Sequence, residues 1–222
     1  MSLAYEFRTN APSAAIMSAN IGDIGDLLRR TGVPMNFGKD EEVYGQDEEA
    51  DLVYRVIDGA VRTTRVLSDG RRQIGDFYLK GDIFGLETGP RHRFSAEAVR
   101  NSQILVVKAS ALKSAGADLE RLDHMTTRRE LDRALEHVLL LGRKTAHERV
   151  ASFLLDLVHK AKAPIIDLPM GRQDIADYLG LTIETVSRML SLLQSNRIVS
   201  FCATRQFRVI NLDGLMDLAE QG

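Results

Sequence analysis

Glu184, Ser187 and Arg188 place a carboxylate, a hydroxyl and a guanidinium within five residues. If that stretch is helical, positions three and four apart share one face. A guanidinium on such a face can donate two hydrogen bonds to guanine O6 and N7. A carboxylate can accept from cytosine N4 or adenine N6, and a hydroxyl one turn on can meet a base edge or the thymine methyl. The same three residue types also make an ordinary solvated helix face. Which of the two they form depends on the elements that carry them.

Those elements run from Arg172 to Ser195. Ile175, Ala176 and Leu179 recur at helical spacing, and Gly180 then interrupts the pattern where a tight turn needs positive φ. Leu181 supplies a buried contact and Thr182 a hydroxyl N-cap for a second helix. That helix turns Val186, Met189, Leu190 and Leu193 inward and Glu184, Ser187 and Arg188 outward. Two short helices across a glycine turn read as a helix-turn-helix, the alternative being a plain helical hairpin with a charged outer face. Behind it, Ile198–Phe201 and Phe207–Ile210 form two short β runs joined through 203–206, a wing. A last helix spans Leu212–Ala219, capped by Asn211 or Asp213.

Upstream the period is different. Leu52–Ile57, Ala60–Leu67, Arg72–Leu79, Phe94–Val99 and Ser102–Val107 alternate, with Asp58-Gly59, Asp69-Gly70 and Arg100-Asn101 as turns. Short strands at this spacing predict an antiparallel sandwich or roll. Residues 1–20 show no apolar periodicity and read as a leader; 21–118 form the roll, with a short helix at 21–30 bearing Ile24, Leu27 and Leu28. Residues 119–146 form one long helix. Its stripe of Leu131, Leu135, Val138, Leu139 and Leu141 either covers the roll or forms a two-stranded seam, and its length favours the seam. Residues 147–222 make the last domain, beginning with a helix at Glu148–Lys160. Pro164 and Pro169 then bracket a short strand, Ile165–Leu168. The fold class is α+β.

With 44% hydrophobic and 27% charged residues the chain is composed like an ordinary globular protein. No stretch approaches a membrane span and no secretory signal pattern opens the chain, so a cytoplasmic protein is expected. A single cysteine, Cys202, excludes an internal disulfide and any multi-cysteine cluster within one chain. Glycine-rich phosphate loops, GxSxG and HExxH are missing, which leaves enzyme readings without support. A net charge of −2 hides an uneven distribution: Asp40–Asp51 is acidic throughout, whereas 171–211 carries five arginines against three carboxylates.

Roll, long helix and winged helix-turn-helix, in that order, resemble the CRP/FNR family of bacterial transcription regulators. The resemblance covers nearly all of 33–220 and is carried by Gly142-Arg-Lys-Thr-Ala-His-Glu-Arg-Val-Ala151, Phe153-Leu-Leu155, Gln173-Asp-Ile-Ala-Asp-Tyr-Leu-Gly-Leu181 and Glu184-Thr-Val-Ser-Arg188. The chain is most similar to the FixK branch, which implies a dimeric regulator of double-stranded DNA, acting with RNA polymerase in oxygen-linked control. The Glu-x-x-Ser-Arg spacing resembles the set that reads TTGAT half-sites; Ile183 stands where members that read TGTGA carry arginine. Arg172, Thr182, Thr185 and Arg205 are then expected on the phosphate backbone, although a solvated charge is as good a reading of Arg205. Leu131, Leu135, Val138 and Leu139 are expected in the dimer seam.

The resemblance also implies a ligand position in the roll. Nucleotide-binding members carry Gly-Glu for the ribose and Arg-Ser for the phosphate; here the stretches are Gly81–Glu87 and Arg91–Ser95. Leu86 replaces the carboxylate, Phe94 separates Arg93 from Ser95, and alternation along an extended chain would turn Glu87 away. The expectation is no cyclic-AMP pocket of the usual kind, no cofactor and no metal. The five histidines read as structural or solvated, and Arg91, His92 and Arg93 as a basic surface loop. A small-ligand or cyclic-nucleotide sensor of the same fold is the competing function. At the wing, Phe201 and Cys202 alternate, so one faces inward. Cys202 is expected to be that residue, packed as a small apolar side chain; otherwise it is an exposed thiol whose oxidation near Arg205 would repel DNA.

Overall fold

A computed structural model describes residues 27–87, 89–114, 119–161 and 163–220. The leader expected over 1–20, and Ile24, lie outside these. Residues 27–31 are helical, and Leu28 is fully buried among Val53, Leu105, Val107 and Leu112.

Eight strands follow: β1 (Val33–Phe37), β2 (Glu42–Tyr44), β3 (Leu52–Asp58), β4 (Ala60–Val66), β5 (Arg72–Leu79), β6 (Ile83–Phe84), β7 (Ser95–Ala98) and β8 (Ser102–Lys108). They form two four-stranded sheets, ordered β1-β8-β3-β6 and β2-β7-β4-β5, with every pairing antiparallel. Alternation is what makes this possible, since each strand sends one face to a shared interior. Tyr54, Phe84, Tyr78, Val56 and Ile104 fill that interior. Gly59, at φ +94°, makes the β3–β4 turn; a side chain there would strike Ser102.

After the short helix α1 (Ala109–Ser114) comes α2 (Leu119–Arg143), then α3 (Ala146–Ala161). The long helix ends three residues before the expected Ala146. Thr145 and Glu148 form a reciprocal cap there: Thr145 N donates to Glu148 Oε2 at 2.8 Å and Glu148 N to Thr145 Oγ1 at 3.4 Å. Strand β9 (Ile166–Asp167), helices α4 (Arg172–Leu179) and α5 (Ile183–Ser195), strands β10 (Val199–Ala203) and β11 (Gln206–Val209), and α6 (Leu212–Glu220) complete the chain. The wing is a three-stranded sheet, β10-β11-β9, rather than a bare hairpin. Asn211, not Asp213, caps α6, accepting from Gly214 N at 3.0 Å.

The core of this last unit does not stop at its own elements. Val150, Leu154, Ile175, Leu179, Val186, Leu190 and Phe207 pack in one cluster with Ile74, Phe77 and Val99 of the roll. Phe77 on β5 lies 5.4 Å from the ring of Tyr178 and 6.2 Å from that of Phe153.

Candidate nucleic-acid interface

The helix that presents Glu184, Ser187 and Arg188 is held at both ends. Gly180 adopts φ +61°, ψ +39°, which lets Leu181 N reach back to Ala176 O at 3.0 Å and closes α4. Thr182 is extended, and its Oγ1 accepts from Thr185 N at 3.2 Å, opening α5. Val186, Leu190 and Leu193 are buried on the inner face. Glu184 and Arg188 are exposed on the outer face, with Ser187 between them and half-buried. The Glu184 carboxyl titrates below its usual range because its own backbone N–H and the Thr182 hydroxyl favour the charged form. It is therefore an obligate acceptor at neutral pH. Arg188 lies 3.4 Å from Thr185 Oγ1 and, among the described residues, pairs with no carboxylate, so its guanidinium is available.

Arg172 is exposed at the first position of α4. Thr182 and Thr185 share a hydroxyl contact at 3.1 Å beside the start of α5. Arg205 is exposed at the wing tip, and its Nη1 donates to Pro169 O at 3.1 Å, tying the wing to the strand before α4. Sequence reasoning missed Arg149, which donates to Leu141 O at 2.7 Å, Lys144 O at 2.9 Å and Leu179 O at 3.0 Å. It satisfies terminal carbonyls of α2 and α4 together, and so orients the two helices. The His-Glu-Arg stretch was the available signal.

Cys202 corrects one expectation. Phe201, not Cys202, turns inward, where its ring sits 6.1 Å from that of Phe207. Phe201 pairs with Phe207 and Ala203 with Gln206, so Cys202 is the extra residue of a β-bulge and its thiol is exposed. Alternation fails at a bulge.

On α2, Leu131, Leu135, Val138 and Leu139 are 57%, 55%, 67% and 62% exposed. These four stay largely exposed, whereas Leu141, the fifth residue of the expected stripe, is half-buried. The adjoining face makes the contacts instead: Arg133 Nη1 pairs with Asp76 of the roll at 2.6 Å, and His137 Nε2 lies 2.8 Å from Tyr178 O of α4.

Between roll and α2 lies a cavity of about 340 Å³, lined by Tyr44, Glu87, Arg93, Phe94, Glu130 and Arg133 among others. Glu87 does not turn away as expected. After β6 the chain leaves strand geometry at Gly85, φ +83°, and the alternation that would separate Leu86 from Glu87 is lost. Glu87 accepts from Arg93 Nε at 2.9 Å and Arg93 N at 3.2 Å. Nor is the basic stretch wholly at the surface: Arg91 and Arg93 are exposed, but His92 is 1% exposed and stacks on Tyr44 at 3.7 Å between centroids. Both ring nitrogens are buried without a hydrogen bond, Nδ1 lying 3.8 Å from Glu87 Oε1. Among the described residues no cluster of histidine, cysteine and carboxylates is placed to hold a metal, and no helix is long and apolar enough to cross a membrane.

The Crp-like helix-turn-helix domain profile matches residues 148–218, and the cyclic nucleotide-binding domain profile matches 34–117. The nitrogen fixation regulation protein FixK of Azorhizobium caulinodans is 48% identical over 189 residues, covering 81% of this chain and 76% of that protein. The transcriptional activatory protein AadR of Rhodopseudomonas palustris is 36% identical over 206 residues, 87% of this chain and 86% of that protein. The solved structure of FixK2 from Bradyrhizobium japonicum superposes with a TM-score of 0.82 at 50% identity, covering 86% of this chain and 99% of that one. With both halves of the fold, the helix-turn-helix and this degree of identity in agreement, the chain belongs to the FixK branch of the CRP/FNR family of DNA-binding transcription regulators.

Proposed function

We propose that the protein acts in the cytoplasm as a homodimeric activator that binds inverted repeats of TTGAT half-sites in double-stranded DNA and works with RNA polymerase. The observation that carries this reading is the outer face of α5, where Glu184 and Arg188 are exposed opposite the buried Val186, Leu190 and Leu193. Arg188 reads guanine, Glu184 accepts from cytosine or adenine, and Ser187 contacts a neighbouring base. Arg172, Thr182, Thr185 and Arg205 hold the phosphate backbone and fix register without reading sequence. The exposed seam of Leu131, Leu135, Val138 and Leu139 joins two copies along α2. Two-fold symmetry then places the reader helices about 34–36 Å apart, one turn of DNA. Activation is carried over from the activatory relative AadR, and oxygen-linked control from the resemblance to the FixK branch alone.

A ligand-gated sensor is the second reading, favoured by the cyclic nucleotide-binding match and by a cavity within the size range of small-molecule sites. Selection of bound sequences from random DNA at stated salt, with protein purified without additives, tests the first reading. Inverted TTGAT repeats are expected; recovery only after a cyclic nucleotide is added would favour the second.

A further inference from the structure

The roll and the helix-turn-helix meet at a lattice of charges that joins β4 and β5 to α4. Arg62 of β4 is 7% exposed. Its Nη1 donates to both carboxylate oxygens of Asp174 at 3.2 Å, and its Nε and Nη2 reach Glu97 Oε2 at 2.9 and 2.7 Å. Nη2 also reaches Asp40 at 3.0 Å. Arg72, the first residue of β5, donates from Nη2 to Asp174 at 2.6 Å and Asp177 at 2.7 Å, and from Nε to Asp177 at 2.9 Å. Asp174 and Asp177 are three residues apart on α4 and so share a face, while both arginines belong to the roll. Asp174 is 6% exposed and also accepts from Gly171 N at 3.3 Å, so one carboxylate caps α4 and docks it.

An apolar contact such as Phe77 against Tyr178 tolerates sliding, because it is not directional. Planar guanidinium forks are directional, and a buried carboxylate that loses its arginine is left unpaired in a poorly solvated place. The lattice therefore selects one orientation of α4 on the roll. Arg133, paired with Asp76, ties α2 to the same sheet. The covalent link between α2 and α3 is only Lys144-Thr145. Ties from β4 and β5 thus act on both sides of that link.

We infer that Arg62, Arg72, Asp174 and Asp177 are specificity-determining residues that fix α5 relative to α2 and so set the spacing between half-sites the dimer accepts. This rests on the dimeric DNA-binding reading above. The test uses full-length protein, the Arg72→Met and Asp177→Asn variants, and duplexes whose gap between identical half-sites changes one base pair at a time. Arg62→Met, the variant most prone to misfold, is not required. The parent is expected to favour one gap; in both variants that preference falls at least about tenfold, while base preference within a half-site is kept. Hydrogen exchange, which needs no DNA, gives the second measurement. Residues 72–79 and 172–179 are expected to exchange at least about tenfold faster together in the variants, with the β3–β8 pairing unchanged. Folded variants with the parent's gap preference, or with unchanged exchange in both segments, overturn the inference. A parent that binds no duplex refutes the DNA reading and the spacing role with it, and the exchange data then report the clamp alone.

Discussion

Replacing Leu135 and Val138 by glutamate is expected to yield a folded monomer. Each of the four seam residues keeps 55–67% of its surface exposed in the single chain. Full burial of such a side chain is worth about 1.5–3 kcal/mol, so the exposed share of each carries about 1–2 kcal/mol. Eight side chains in a two-stranded seam then supply about 7–14 kcal/mol, against an association cost of about 4–15 kcal/mol. The seam is decisive and has little surplus. Losing Leu135 and Val138 from both copies removes about half of it, roughly 4–7 kcal/mol, or about three to five powers of ten in the dimer constant. Placing four carboxylates face to face adds repulsion. Sedimentation equilibrium at micromolar concentration reads the outcome, with circular dichroism to show that the helices persist. A folded variant that remains dimeric would refute this assignment of the seam.

Arg188→Ala is expected to cost about 1–3 kcal/mol on the preferred site and flatten preference at one base pair, whereas Arg172→Ala weakens all sequences alike and lowers the salt slope by about one; equal loss on every sequence for Arg188→Ala would remove it from base reading. Burial, and then the neighbouring Glu87 carboxylate, push Glu130 up to about 7, with Arg93 opposing. Because the folded chain binds this proton more tightly than the ordinary 4.5 value, stability falls as pH rises from about 4.5 to about 7. Discounted for a side chain 38% exposed, Glu130→Gln should gain about 1 kcal/mol at pH 8 and nothing at pH 4, and equal melting shifts at both would refute the assignment. Exposed Cys202 should react with iodoacetamide in the free protein and be protected by operator DNA if the wing lies against the duplex; equal labelling would place the wing away from it.

The reader helix was legible because its signals are local. Gly180 at positive φ and the Thr182 cap act within a few residues, and the inner face of α5 follows from period alone. Strand β5 was legible to the residue for the same reason, its alternation starting just after Asp69-Gly70. Errors arose where the backbone left its regular period. Gly85 redirected Glu87, the bulge at Cys202 exchanged inside for outside, and the Thr145–Glu148 cap cut α2 short. The ties between Arg62 and Asp174, 112 residues apart, have no local signature at all. An arginine in an alternating strand reads as solvent-facing, and only the folded chain reveals that α4 lies over it.

The cavity beneath α2 bears most directly on whether a cyclic nucleotide governs this protein. A cyclic phosphate offers one negative charge, and Arg93 is the arginine nearest to where it would sit by resemblance to nucleotide-binding members. Here Arg93 already donates to Glu87 from its Nε and backbone N, and its Nη2 lies 3.7 Å from Glu130. Phosphate would have to share that guanidinium with Glu87 and Glu130, whose carboxylates already offset its charge. By the same resemblance Phe94 stands where the serine beside that arginine would be, so the usual paired hydroxyl is displaced by one residue. Isothermal calorimetry of the parent with cyclic AMP is therefore expected to give no binding heat at millimolar ligand. Glu87→Gln removes the competing charge and should permit weak binding through Arg93. Micromolar binding by the parent would refute the argument, and would mean that Arg93 swings to the nucleotide at a cost the Glu87 pairing does not impose.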